Sequence, residues 1–438
     1  MIQLLAHGVG ERGDLPLPAG ALAIGGAAAV VISAVALMAT WGNADFAARL
    51  GGRRLLGVSG PIGRSLLFVA RFVGLVLFVV TTVAAFTVAD NAVENISIRM
   101  VYVFYWVAIP LASVLVGDLY RLISPFEAIA TVVGRVRPSS AAVTEEPTST
   151  PPAMWGVAVG LLVFLWLELA FHDGSSARIL GWLLVAYATT MLYGIWRGGS
   201  AWLRAHDPLA VWVSLGAAIA PLHVVDGELR LRPPLVGLAG VAARRGLAAT
   251  VLVVLAGTSF DGVTRTPFWK DLVGVNSGWS ATMVNTIGLL FTIATAALLY
   301  LSAVHFMRLV SGDQRSDLDD QLAISLIPVA IGYAVAHYFS LGIFEGHFLI
   351  IQASDPFSDG SDFFGTRLWR VNYQSIGSTG IASAQAIGII GGHLAGVIVG
   401  HERAVTLLPK ERSVDAQFAL IGVMAVFTML GLLLMVNV

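Results

Sequence analysis

Of the 438 residues, 57% are hydrophobic and only 12% are charged, about half the charged share of an ordinary soluble domain, which excludes a water-soluble globule. A formal net charge of −1 leaves no electrostatic footprint for nucleic acid. The chain has no cysteine, so structural disulfides, thiolate metal sites and thiol redox chemistry are excluded, and any metal must be held by histidine, carboxylate, amide or carbonyl groups.

Runs of roughly 20 apolar residues, enough to cross a ~30 Å hydrocarbon core, recur along the chain. They predict an all-α, polytopic transmembrane bundle of about ten spans forming a single integral membrane domain. The spans are expected at 19–40, 64–89, 99–117, 153–171, 178–196, 243–259, 281–303, 323–344, 378–400 and 416–437. The sixth carries the weakest signal, because its apolar stretch is short and begins at Arg244 and Arg245.

The residues before the first span lack a basic leading segment and the basic cluster follows the span, which suits an uncleaved first helix starting outside. With the N-terminus outward, 19 of the 26 lysines and arginines fall in inner segments and seven in outer ones. Basic residues concentrate on the cytoplasmic side of membrane proteins, so both termini are expected outside a bacterial cytoplasmic membrane. The bilayer is the expected partner, together with other membrane subunits if the chain is an accessory component.

Two inner loops share a device. "RLISPFEAIATVVGRVRP" and "RAHDPLAVWVSLGAAIAPL" each place an N-cap residue, Ser124 or Asp207, before a proline, Pro125 or Pro208, at the first helical position. Both read as helices lying at the inner membrane surface, with a re-entrant segment as the alternative for the second. Between the first device and the fourth span, residues 138–152 read as a disordered inner linker.

The outer end of the eighth span is unusual. "HYFSLGIFEGHFLIIQASDPFSDGSDFFG" gathers His337, Glu345, His347, Asp355, Asp359 and Asp362, with residues 345–377 forming an ordered outer loop. The fourth span ends on the same side with "LELAFHDG", where Glu168 and His172 stand four apart and would share one helix face. The outer segments also contribute His7, in "AHGVGERGDLPLP", and Asp261, in "TSFDGVTRTPFW". Neutral imidazoles and carboxylates are the donors that zinc, copper or manganese prefer. A divalent ion held by His337, Glu168, His172 and His7, with Asp261 or Asp355 as general base, would activate water for hydrolysis. Each group also has an ordinary reading: an interfacial helix end for Glu168 and His172, turn-forming aspartates in the loop. His337 stands apart because an ionisable group inside a span is a functional candidate by default. His393 lies too close to the inner boundary to join His337 on one haem iron.

The segments "AHGVGERGDLPLP", "TSFDGVTRTPFW", "AHYFSLGIFEGHFLIIQASDPFSDGSDFFGT" and "GGHLAGVIVGHERAVTL" together resemble, nearly end to end, a family of actinobacterial integral membrane proteins labelled fenitrothion hydrolase. The resemblance implies hydrolysis of an organophosphate triester and brings no catalytic residues with it. Where this chain has "FEGH", the family pattern often has glutamine at the position of His347, leaving His337 and Asp355 as the stronger candidates. Three functions stay open: a metal-dependent phosphoester hydrolase with an outward site, a transporter or permease for a metal ion or small solute, and a non-catalytic subunit of a membrane complex.

Overall fold

In the computed structural model, residues 19–41, 45–136 and 152–436 are described. His7 and nearly all of the 138–152 linker lie outside them. The main helices are α1 (Ala19–Thr40), α2 (Pro61–Thr87), α3 (Ile96–Val116), α4 (Pro125–Val136), α5 (Trp155–Leu169) and α6 (Ala177–His206). They continue with α7 (Pro208–Ala217), α8 (Leu247–Thr264), α9 (Gly278–Ser311), α10 (Leu326–Ala353), α11 (Ser378–Leu407) and α12 (Ser413–Val436).

Among the described residues nine helices are long and apolar enough to cross a membrane. The remaining expected span, α5, has 15 residues, about 22 Å at 1.5 Å per residue. It still joins the two ends of the bundle. Met154 N–H bonds the Arg245 carbonyl at the start of α8 (2.7 Å), and His172 N–H bonds Thr282 Oγ1 on the first turn of α9 (3.1 Å). The short span is therefore the fourth, while the sixth, α8, is a full and deeply buried helix.

The arginine-rich loops gather at one end, here the basic face; the loop after α10, with Asp355, Asp359 and Asp362, lies at the other, here called the acidic face. On the basic face β1 (Arg53–Gly57), β2 (Leu222–Val225) and β3 (Glu228–Leu231) form a small antiparallel sheet in the order β1-β3-β2. The β2–β3 hairpin turns on Asp226 and Gly227, both with positive φ (52° and 72°), as a two-residue hairpin demands. On the acidic face Arg99 ties α3 to α10. Its Nε–H donates to Glu345 Oε2 (2.7 Å), it also bonds Gln352 Oε1 (3.1 Å) and the Ala92 carbonyl, and its guanidinium lies 3.9 Å from the centre of the Phe348 ring. This clamp carries α10 nine residues beyond the expected end of the eighth span. Glu345 and His347 consequently sit on helix, not in a loop, and His347 points to the exterior.

Close backbone contact holds α10 to α11. A Cβ built on Gly332 would stand 2.4 Å from the Gly388 carbonyl oxygen and 2.8 Å from Gly392 Cα, so the glycines permit an approach no side chain would allow. Within α3, residues Met100–Ala108 take the wider π-helical winding, and Ile109 N–H bonds the Phe104 carbonyl five residues back. Pro110 follows at once; its ring crowds the carbonyl four residues earlier, and the wider turn relieves that clash.

Both proline-started helices form on the basic face. Ser124 Oγ accepts from Glu127 N–H (3.3 Å), and α4 lays Phe126 and Ala130 against α6 while Val132 stays exposed. Asp207 Oδ1 caps α7, accepting from the N–H groups of Leu209 (3.0 Å) and Ala210 (3.1 Å) and from the Tyr187 hydroxyl (2.7 Å). The second helix sits deeper than the expected surface position. Gly199 (φ 59°) breaks α6 and turns the chain back, and α7 inserts among α3, α5 and α10 with Pro208 against Gly160. Its sequence "PLAVWVSLGA" has no charged residue and so no polar side to leave among headgroups. Trp212 faces the bundle, and the chain returns to the basic face at β2.

Candidate functional site

A cluster of ionisable side chains is buried where α5, α8 and α10 meet. Glu168, Asp261 and His337 lie 13, 14 and 11 residues beyond the first residues of α5, α8 and α10, which sets all three about 16–21 Å from the basic-face ends of their helices. They share a level in the acidic-face half of the bundle.

Asp261 is 0% exposed. Its Oδ2 is in contact with His337 Nε2 and lies 3.7 Å from Nη2 of Arg265, the residue that follows α8. Arg265 Nη2 is in turn 3.1 Å from His337 Nε2. The three groups therefore meet at a single imidazole nitrogen. That nitrogen has two alternative partners: carrying a proton it donates to Asp261, and without one it accepts from Arg265. Glu168 completes the cluster. Its Oε1 accepts from the Tyr338 hydroxyl (3.3 Å), which accepts from Trp106 Nε1–H (3.1 Å), and its buried Oε2 makes no hydrogen bond among the described residues. A cavity of about 40 Å³, bounded by His337, Arg265, Ser259, Tyr333 and Gln385, adjoins the cluster. That is room for two or three waters.

The candidate residues separate clearly. Asp261 and His337 come together, with Glu168 beside them. His172 does not join them. α5 stops at Leu169, so the i, i+4 relation of Glu168 and His172 on one helix face does not form. His172 instead bonds Thr282 Oγ1 through Nδ1 (2.8 Å) and packs between Phe171 and Trp279, its ring centre 4.7 and 5.2 Å from theirs. Asp355 is likewise elsewhere. Its carboxylate accepts from the N–H groups of Asp359 (3.0 Å) and Gly360 (3.1 Å) and orders the loop after α10. In the same loop, hydrogen bonds to the hydroxyls of Ser361 and Ser354 hold the Asp359 and Asp362 carboxyls below the usual range. These aspartates are turn formers.

No group of three or more His, Asp or Glu with metal-holding geometry occurs among the described residues. The pair that does meet, Asp261 and His337, has a guanidinium against it, which repels a cation where it would bind. Arg265, Tyr338, Trp106 and Gln385 escaped the sequence reading. The spacing of Asp261 and Arg265 was the available signal, since an opposite-charge pair four apart in an otherwise apolar helix marks one polar face.

No protein-family model, no curated protein and no solved structure matches the chain.

Proposed function

We propose that the chain is a proton-coupled permease for a small solute, in which Asp261, His337 and Arg265 hold the coupling proton. The observation that carries this reading is the position of His337 Nε2 between a carboxylate and a guanidinium inside a membrane bundle. Ionisable groups at that depth are expensive and typically belong to ion paths or proton relays. With His337 neutral, the Asp261 carboxylate and the Arg265 guanidinium balance each other, and one added proton makes the imidazole a second cation for that carboxylate. Arrival of the proton at His337 Nε2 ends its acceptance from Arg265 and directs the new N–H to Asp261. Arg265 is then released to a different partner, and that exchange would couple protonation to movement between α8 and α10.

Proteoliposomes carrying the chain and a pH-sensitive dye, exposed in turn to a panel of small solutes, test the reading. The expected result is a lumenal pH change with at least one solute, abolished by Asp261→Asn. Solute uptake with no pH change, or uptake unaltered by Asp261→Asn, contradicts it.

A second reading keeps one observation in its favour: an Asp–His contact also orients an imidazole to take a proton from water. Hydrolysis of a phosphotriester by the purified chain, lost in His337→Gln and unaccompanied by any solute-driven pH change, would support that alternative. Under either reading the chain resides in the cytoplasmic membrane with its acidic face outward. A cysteine introduced at the exposed Ser358 should then react with an impermeant thiol reagent in intact cells, free of interference because the native chain has none. Labelling only after permeabilisation would reverse the orientation.

A further inference from the structure

The largest cavity described, about 730 Å³, lies on the basic face and plays no part in the proton site. Its size falls in the range of small-molecule pockets, which run from roughly 300 to 1,000 Å³. Arg204, Arg232, Arg244 and His223 line it, with no carboxylate among the lining residues, and Met154 and Leu215 contribute apolar wall. Two of the arginines are held in place by backbone. Arg232 donates through Nε and Nη2 to the carbonyls of Ala220 and Ala218 (3.4 Å each), and Arg244 through Nε and Nη2 to those of Pro152 and Ala205 (2.7 Å each). A guanidinium has five N–H donors, so each keeps donors beyond those bonds. Arg204 has only a long contact with Glu127 (3.8 Å).

Three guanidiniums converge on a space with no carboxylate among its described lining residues, and the fork geometry of guanidinium matches phosphate oxygens. From this we infer that the basic-face cavity is a binding site for a phosphate-bearing anion, its apolar wall accommodating the body that carries the phosphate. The inference is independent of the proton reading. α7 separates the two regions: Val211, Ser214 and Leu215 line this cavity, while Trp212 borders a small void shared with Trp106, Thr258 and Tyr338. Two sources offer the same chemistry at this face, the headgroup of an anionic lipid and a free phosphorylated solute.

Binding of inorganic phosphate, short-chain phosphatidylglycerol and short-chain phosphatidylcholine to the full chain in detergent, measured by native mass spectrometry and thermal shift, decides the matter. The expected result is binding of phosphatidylglycerol or phosphate and not of phosphatidylcholine. Losing one charge-assisted contact should weaken it about tenfold in Arg204→Gln. Arg232→Gln should do the same, but its backbone bonds put folding at risk, so Arg204→Gln carries the test. Arg315→Gln, on the same face and bonded to the Leu407 carbonyl, should bind as the native chain does. Phosphate binding identifies a free solute, and binding of phosphatidylglycerol alone identifies a lipid headgroup. Equal binding of phosphatidylcholine, no binding of any probe, or equal weakening by Arg315→Gln overturns the proposal.

Discussion

The buried cluster around His337 and the cavity around Arg232 use the same residue types in opposite ways. In the cluster, arginine and histidine touch a fully buried carboxylate beside a void of about 40 Å³. In the cavity, three arginines and a histidine line about 730 Å³ with no carboxylate among them. A narrow site whose charges compensate one another suits a proton, which needs no volume. An open and uncompensated set suits an anion. The residue list alone does not separate these cases; the position of the carboxylates does.

The contrast breaks first, and most severely, at Asp261. Asp261→Ala removes one member of the buried Asp261–Arg265 pair, and breaking a buried pair in this way costs about 3–5 kcal/mol. Denaturant unfolding in detergent should register that loss, and proton coupling should vanish with it. Adding Arg265→Leu should restore much of the stability and none of the coupling, because replacing both members of a buried pair by apolar groups is far less costly than removing one. Equal instability of the single and double variants would show that Arg265 draws its compensation from elsewhere.

Next in size is a histidine belonging to neither region. His401 joins three helices, bonding the Trp41 carbonyl after α1 through Nε2 (2.7 Å) and Gln417 Oε1 of α12 through Nδ1 (2.9 Å). His401→Ala should cost about 1–3 kcal/mol through its orphaned partners while solute transport per folded molecule stays unchanged. A specific loss of transport would extend the functional region to the basic-face ends of α11 and α12. Smaller again, His172→Ala should cost about 1 kcal/mol for the lost Thr282 bond and leave activity intact, as befits a packing residue. A marked activity defect would return His172 to the site.

The smallest effect concerns His223 at the cavity. Burial, reinforced by the positive charges of Arg232 and Arg230, holds its imidazole below the ordinary histidine value. At neutral pH it is uncharged in both folded and unfolded chains. As the pH falls through the unfolded value of about 6.5, the unfolded chain takes up the proton first, so this residue lowers stability on acidification and not above that point. A bound anion facing the ring opposes the trend. Thermal shifts with phosphatidylglycerol should therefore grow as pH falls, and the growth should disappear in His223→Gln.

Much of the architecture could be read from the chain, for identifiable reasons. Long apolar runs placed the starts of the crossing helices within about four residues but cut several of them short at the far end, and Asp207–Pro208 and Ser124–Pro125 gave both capped helices, since capping is a local property. Depth was harder. α7 is capped as expected, yet its burial depends on the reversal at Gly199 and on the space opened by Gly160, contacts distant in sequence. The small sheet was missed, although the Asp226–Gly227 hairpin turn was legible, because its strands are only four or five residues long and mostly exposed. The site was half legible. Intramembrane position singled out His337, and Asp261 was recognised, whereas Glu168–His172 failed because the helix stops between them. Asp355 and its neighbours in "SDPFSDG" obeyed turn chemistry.

The central claim is that His337 Nε2 exchanges a proton between an arginine-paired and an aspartate-paired state. Nitrogen-15 NMR of histidine-labelled protein in lipid nanodiscs tests it most directly, with the His337 signal assigned by its absence in His337→Gln. The account predicts that, as pH is lowered, Nε2 passes from an unprotonated acceptor to a protonated donor, and that Asp261→Asn shifts this transition. An Nε2 signal that keeps one protonation state throughout and ignores Asp261→Asn would contradict it.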